Sequence, residues 1–96
     1  MAIRSFSDEA TEEFFSTGRT GKNTGWRGIA TIVRRKLDLL RYAADLRDLR
    51  SPPGNRLEAL KGGLKGYHSI RINDQWRIVF RWTNLGAHDV RIMDYH

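Results

Sequence analysis

The stretch YHSIRINDQWRIVFRW, residues 67–82, decides the predicted fold. Residues 67–72 and 76–82 are rich in aromatic and β-branched side chains, which favour extended strands. Between them, Asn73-Asp74-Gln75 has the polar, turn-forming character of a tight hairpin loop. We therefore predict two antiparallel strands joined at this loop, and the other elements can be placed around them.

Two more strands are expected beside this hairpin. Residues 84–86 are a second turn signal, and residues 88–95 are predicted to form the last strand. Before the hairpin, residues 56–60 are a candidate strand, and the glycine-punctuated segment 61–66 follows them.

Helical signals are confined to the N-terminal half. A helix is predicted from about residue 8 to 17, with Ser7 as its N-cap and Gly18 as its stop. Residues 3–6 alternate between apolar and polar and predict a short first strand. The segment SPPGN at 51–55 would end any helix that precedes it. One apolar stripe with helical spacing of 3, 4, 4, 3 and 4 residues comprises Trp26, Ile29, Val33, Leu37, Leu40 and Ala44.

Without the candidate strand 56–60, this order is β-α-α-β-β-β, which predicts an α+β fold in which a mostly antiparallel sheet packs against two N-terminal helices. With 96 residues, the chain is expected to be a single domain, 1–96. The absence of cysteine excludes disulfides, and the three histidines lack metal-ligand spacing, so no cofactor or metal is expected. No apolar run nears the roughly 18 residues of a membrane span, and no signal peptide is visible. We therefore expect a cytoplasmic protein without a membrane partner.

The charge of the chain favours an anionic partner. Seventeen Lys and Arg against eleven Asp and Glu give a net charge of +6. The first 25 residues carry three basic and four acidic side chains, so residues 26–96 hold a net +7. Thirteen of the basic residues are arginine, whose planar fork suits phosphate, which favours nucleic acid. The basic residues predicted to contact RNA are Arg34, Arg35, Arg41, Lys65 and Arg71.

Four short motifs follow one another toward the C-terminus: RLEALKG (56–62), YHSIRI (67–72), WRIVF (76–80) and the final DYH (94–96). Together they closely resemble the HigB-type, or plasmid maintenance killer, toxins of the RelE/ParE superfamily, over nearly the whole chain. The resemblance implies a RelE-like microbial-ribonuclease fold. It also implies a type II toxin that cleaves messenger RNA on the ribosome and is silenced by a HigA-type helix-turn-helix antitoxin.

RNA cleavage without a metal needs a base for the 2′-OH proton, an acid for the leaving 5′-oxygen, and cations beside the phosphorane. In the light of the resemblance, Glu58 is predicted as the base and His96 as the acid. Arg77 and Lys61 would offset the negative charge, and Tyr95 would orient the phosphate or stack on a base. Many HigB-type toxins carry histidine at this first position. Because this chain has Glu58 there instead, a mechanism with two histidines is not expected.

Other interpretations stay open. A ParE-like toxin would inhibit DNA gyrase through protein contacts, and such sequences typically lack the acid–base pair that Glu58 and His96 would provide. A plain RNA-binding module is weaker, because no RNP-type aromatic pair or KH loop is visible. Arg77 could instead pair with an aspartate, Asp74 or Asp94. The apolar residues predicted to lie in the core rather than stack on bases are Ile70, Ile72, Trp76, Phe80 and Trp82.

Overall fold

The computed structural model describes residues 3–94 and contains two helices followed by a four-stranded antiparallel sheet. The strands lie side by side in chain order, so the predicted α+β class is confirmed. The elements are α1 (Glu9–Thr17), α2 (Ala30–Tyr42), β1 (Glu58–Ala59), β2 (Tyr67–Arg71), β3 (Trp76–Thr83) and β4 (Gly86–Asp94). Four 3₁₀ helices lie between them, at Arg27–Ile29, Leu46–Arg50, Pro53–Asn55 and Gly62–Leu64.

The predicted hairpin is present as β2 and β3. Arg71 pairs with Arg77 at the closed end of its ladder. The Asn73 side chain accepts hydrogen bonds from the backbone N–H groups of Gln75 at 2.9 Å and Trp76 at 2.8 Å. Asparagine stabilises turns in this way because its short side chain reaches backbone donors two or three residues ahead.

The first predicted strand, residues 3–6, is reduced to two isolated parallel bridges, from Ile3 to Ala87 and from Phe6 to Val90. Between the two bridged residues of β4, Asp89 lies in the left-handed region with φ 53°. Its N–H bonds the Ser5 hydroxyl rather than a backbone carbonyl. The ladder is therefore interrupted, and the N-terminal segment lies along β4 without forming a continuous strand.

The cap of α1 differs from the prediction by one residue. Asp8, not Ser7, is the N-cap: its carboxylate accepts from the Ala10 N–H at 3.1 Å and from the Thr11 hydroxyl at 2.6 Å. Ser7 instead donates its hydroxyl hydrogen to the Asp89 carbonyl. Gly18 ends the helix as predicted, with φ 79° and its N–H on the Phe14 carbonyl.

We expect Asp8→Ala to lower the free energy of unfolding by about 1 kcal/mol, because it removes the acceptor for the first turn of α1. Ser7→Ala is the matched control and should cost less, since it removes one exposed hydrogen bond. Urea denaturation of the two variants measures the difference. Equal losses would contradict the assignment of Asp8 as the cap.

The long predicted helix is shorter than its apolar stripe. Trp26 precedes a 3₁₀ turn, and α2 stops at Tyr42. Beyond it, Asp45 and Asp48 form a reciprocal capping box that begins the next 3₁₀ helix. An N-cap residue must be extended, as Asp45 is at φ −143° and ψ 148°, so α2 cannot continue through it.

The core lies between the helices and one face of the sheet. Val33, Leu37 and Leu40 of α2 are buried against Ile70 and Phe80 of the sheet. The predicted core positions are confirmed. Ile72 is also buried, and Trp76 and Trp82 are partly buried and pack against the core. Within residues 3–94, no helix is long and apolar enough to cross a membrane.

Candidate active site

The sheet face opposite the helical core, which we call the site face, gathers residues that are distant in sequence. Glu58 of β1 pairs with Ser69 of β2, and Arg71 of β2 pairs with Arg77 of β3. Directly paired residues of antiparallel strands project from the same face, and so do residues two apart along one strand. The register therefore places Glu58, Ser69 and Arg77 on the site face.

Among the described residues, three groups hold the Arg77 guanidinium. Its Nε donates to Ser69 Oγ at 2.8 Å, and its Nη2 donates to the Arg56 carbonyl at 2.7 Å. Its Nη1 lies 3.2 Å from Glu58 Oε1. Each nitrogen of the guanidinium thus has a separate partner, so the plane of the group is set by the fold.

Burial is divided unequally between the two charges of this pair. The Arg77 side chain is 7% exposed, whereas that of Glu58 is 48% exposed. A buried cation requires hydrogen-bonding and charge partners, and Arg77 has both. The carboxylate of Glu58 remains accessible from solution while it touches the cation, so a docked substrate can reach it.

The Arg56 carbonyl is directed by an uncommon backbone conformation. Arg56 has φ 45° and ψ 57°, in the left-handed region that costs a non-glycine residue about 1–2 kcal/mol. Its carbonyl accepts the hydrogen bond from Arg77. A strained residue that orients a contact to the buried arginine is typical of functional sites.

Two predicted lysines lie at either end of the 3₁₀ helix Gly62–Leu64. Lys61 is its N-cap and Lys65 its C-cap, and both are exposed. Lys61 follows Glu58 by three residues, and the intervening Leu60 is anchored by its N–H to the Tyr67 carbonyl at 2.8 Å. This anchor fixes the backbone just before Lys61 to β2, next to the end of β1.

The remaining predicted catalytic residues, Tyr95 and His96, lie outside the described residues. The last described residue, Asp94, pairs with Trp76, the neighbour of Arg77 on β3. Asp94 also accepts a hydrogen bond from Gln75, while Asp74 is paired with Arg71. Within residues 3–94, Arg77 forms an ion pair on the site face with Glu58, a carboxylate that was predicted as the base and not as a partner.

The structure separates the three predicted RNA-contacting arginines of α2 into two groups. Arg35 is exposed on α2. Arg34 donates to the Phe15 carbonyl at 3.2 Å and lies over the rings of Phe14 and Phe15. Arg41 lies over Phe15 and its own neighbour Tyr42. Arg34 and Arg41 thus join α1 to α2, whereas Arg35 does not share these aromatic contacts.

We expect Arg34→Ala to lower the free energy of unfolding by about 1–2 kcal/mol, through loss of the cation–π contacts and the hydrogen bond that join α1 to α2. Arg35→Ala is the matched control: it removes an exposed arginine of the same helix that lacks these contacts, so it should leave stability unchanged. Thermal melting of the two variants measures the difference. Equal losses would contradict the role of Arg34 in joining α1 to α2.

Sequence reasoning missed Ser69 and Arg56 as members of the site. Ser69 is a weak signal, because a single serine within a strand does not by itself indicate a site. Arg56 contributes its backbone carbonyl, a group that every residue type has, so the sequence cannot indicate this contact. Among residues 3–94, no group of three or more histidine, aspartate or glutamate side chains is arranged to hold a metal ion.

Comparison with known proteins identifies the family of this chain. A family model described as the RelE-like toxin of the type II toxin–antitoxin system HigB matches residues 4–96. Toxin HigB-1 of Vibrio cholerae is 40% identical over 84 residues, which are 88% of this chain and 86% of that protein. Endoribonuclease HigB of Proteus vulgaris is 42% identical over 41 residues, 43% of this chain and 45% of that protein.

Solved structures show the same fold at lower identity. A chain of the YoeB–YefM complex from Staphylococcus aureus has a TM-score of 0.62 and 23% identity, covering 100% of this chain and 97% of that one. A YafQ variant from E. coli also gives 0.62, at 15% identity, covering 96% and 90%. The resemblance expected from the four sequence motifs is confirmed. This chain belongs to the HigB family of RelE-like toxins of type II toxin–antitoxin systems.

Proposed function

We propose that this toxin is a ribosome-dependent endoribonuclease that cuts messenger RNA in the ribosomal A site and so stops translation. The observation that carries the proposal is the contact of Arg77 with Glu58: a buried guanidinium, held also by Ser69 and the Arg56 carbonyl, lies 3.2 Å from a half-exposed carboxylate. General acid–base cleavage of RNA requires a cation fixed at the phosphate with a base beside it. The name of the Proteus vulgaris relative, Endoribonuclease HigB, supports the same chemistry.

In the proposed reaction, Glu58 takes the proton of the ribose 2′-OH. The 2′-oxygen then forms a bond to phosphorus and the bond from phosphorus to the 5′-oxygen breaks. His96 gives its proton to that leaving 5′-oxygen. The products are a 2′,3′-cyclic phosphate and a 5′-hydroxyl, and neither step draws on a metal ion.

Charge on the phosphorane is offset by Arg77 and Lys61 in this proposal. Because Arg77 is already oriented before substrate binds, it stabilises the transition state without further reorganisation. Lys61 adds a second positive charge at the β1 edge, and Tyr95 orients the phosphate or stacks on a base. The messenger therefore lies across the site face.

Docking to the ribosome is assigned to basic side chains outside the Arg77 cluster. Arg35 on α2 and Lys65 after the 3₁₀ helix Gly62–Leu64 are both exposed. Arg71 lies on the site face but is paired with Asp74, so it contributes charge at reduced strength. Contacts of this kind to ribosomal RNA weaken as salt is raised.

The proposed physiological partner is a HigA-type helix-turn-helix antitoxin that silences the toxin in the cytoplasm. The family model describes a toxin of a toxin–antitoxin system, and the Staphylococcus aureus neighbour was solved as a YoeB–YefM complex. A small helix-turn-helix reading frame beside the gene is expected from this proposal.

Primer extension on messenger RNA in a translating extract tests the proposed function. Added toxin should produce discrete cuts within codons in the A site, and the same messenger without ribosomes should stay intact. An assay of DNA gyrase supercoiling is run in parallel. Intact messenger together with blocked supercoiling would overturn the ribonuclease proposal in favour of a ParE-like toxin.

A further inference from the structure

The loop before β1 contains a polar side chain that is completely buried. Asn55 is 0% exposed. Its Nδ2 donates to the carbonyl oxygens of Leu49 at 3.2 Å and Ser51 at 3.1 Å, and its Oδ1 accepts from Lys36 Nζ at 2.6 Å. This one side chain therefore links the loop to the end of the preceding 3₁₀ helix and to α2.

The bond from Lys36 to Asn55 is formed in surroundings that oppose a positive charge. Burial, together with the guanidinium groups of Arg35 and Arg71, lowers the pKa of Lys36. Hydrogen bonds with a charged donor are stronger than neutral ones. The bond to Asn55 therefore holds the ammonium group in place against these repulsions.

Asn55 directly precedes the residue whose carbonyl holds Arg77. The Asn55 N–H donates to the Pro52 carbonyl at 2.9 Å, and the Arg56 N–H donates to the Pro53 carbonyl at 3.2 Å. Arg56 then turns into the left-handed region. Because peptide groups are planar, the orientation of the Arg56 carbonyl depends on the backbone angles of Arg56 and on the placement of residue 55.

We infer that Asn55 is a positioning residue, whose buried hydrogen bonds to Leu49, Ser51 and Lys36 hold the backbone at residue 56 so that the Arg56 carbonyl sets the plane of the Arg77 guanidinium. The inference rests on the proposed ribonuclease function for its catalytic consequence. Neither Asn55 nor Lys36 touches the substrate in this account. Their hydrogen bonds act on the reaction through Arg77.

Kinetics of A-site cleavage with programmed ribosomes provide the first test. Asn55→Ala should lower kcat by about 10- to 100-fold, because a displacement near 1 Å at a catalytic group has effects of this size. KM should change much less than kcat, since no residue assigned to docking is substituted. Lys36→Met retains the hydrogen bonds from Asn55 to the carbonyls of Leu49 and Ser51, so it should give a smaller loss of kcat. If Asn55→Ala fails to fold, Lys36→Met provides the test.

A substitution that destabilises the core without touching the loop separates positioning from stability. Val33 lies in α2 and is fully buried in the core, so Val33→Ala is such a substitution. All variants are assayed well below their melting temperatures. Val33→Ala should keep the wild-type kcat even where its melting temperature matches that of Asn55→Ala.

Nitrogen-15 NMR of the arginine side chains gives a readout that does not depend on activity. The Arg77 Nε–H, which donates to Ser69, should exchange slowly with water in the wild type and in Val33→Ala, and much faster in Asn55→Ala. Unchanged exchange together with unchanged kcat in Asn55→Ala would overturn the inference while the ribonuclease function stands. If the wild type cuts no messenger, the proposed function fails, and the exchange rates alone decide whether Asn55 holds Arg77.

Discussion

Arg77→Lys is expected to lower the rate of A-site messenger cleavage by about 10²- to 10³-fold, with a smaller effect on ribosome binding. Lysine keeps the positive charge but replaces the planar guanidinium by a single ammonium group. Arg77 uses three different nitrogens for Ser69, Arg56 and Glu58, and one ammonium cannot meet all three at these positions. The charge would therefore be present but no longer fixed at the phosphate.

Arg81→Lys is the matched control for this substitution. Arg81 lies on the same strand and the same face, but it is paired with Asp89 at 2.7 Å and is more exposed. We expect it to cleave at close to the wild-type rate. Single-turnover cleavage measures both variants, and full activity of Arg77→Lys would show that charge alone, without the fixed guanidinium, is sufficient.

Arg77→Ala is a less direct probe than Arg77→Lys. The side chain is 7% exposed, and its removal would leave the buried Ser69 hydroxyl without its donor. Leaving a buried polar group unpaired costs about 1–3 kcal/mol. We therefore expect loss of stability as well as of activity.

Glu58→Gln is the second substitution with a large expected effect. Glutamine retains the shape and an acceptor oxygen for Arg77, but it cannot take the 2′-OH proton. Loss of a general base lowers the rate by about 10²- to 10⁴-fold. Some stability should be lost as well, about 1–2 kcal/mol, because the buried Arg77 cation then faces a neutral amide oxygen instead of a carboxylate, while its contacts to Ser69 and Arg56 remain.

The measurement is again single-turnover cleavage at saturating ribosome concentration, with thermal melting beside it. Glu13→Gln, an exposed glutamate of α1, removes a negative charge far from the site and should leave the rate unchanged. Wild-type cleavage by Glu58→Gln would assign the base to another residue and leave Glu58 as a partner of Arg77 only.

Local signals in the sequence predicted the elements of this fold well. The hairpin of β2 and β3, the Gly18 stop of α1 and the apolar stripe of α2 each depend on residues close together in the chain. Predictions were wrong where a distant contact decided between local alternatives. Ser7 and Asp8 are both good N-caps, and the bond from Ser7 to the Asp89 carbonyl leaves Asp8 to cap the helix.

The candidate site was predictable in its residue types and not in its contacts. Glu58 and Arg77 were identified from chemistry and family resemblance, and their separate roles stay predictions. Their contact depends on the register of three strands, which local sequence does not determine. The same holds for Asn55, whose burial follows from packing between α2 and the loop.

The central claim, cleavage through the ribose 2′-OH by a base on the site face, is tested most directly with a modified messenger. Programmed ribosomes carry either an all-ribose messenger or one with a single 2′-deoxyribose at the nucleotide that is cut. The account predicts that wild-type toxin cleaves the first, leaving a 2′,3′-cyclic phosphate, and leaves the second intact at that position. Cleavage of both messengers at equal rates would contradict it.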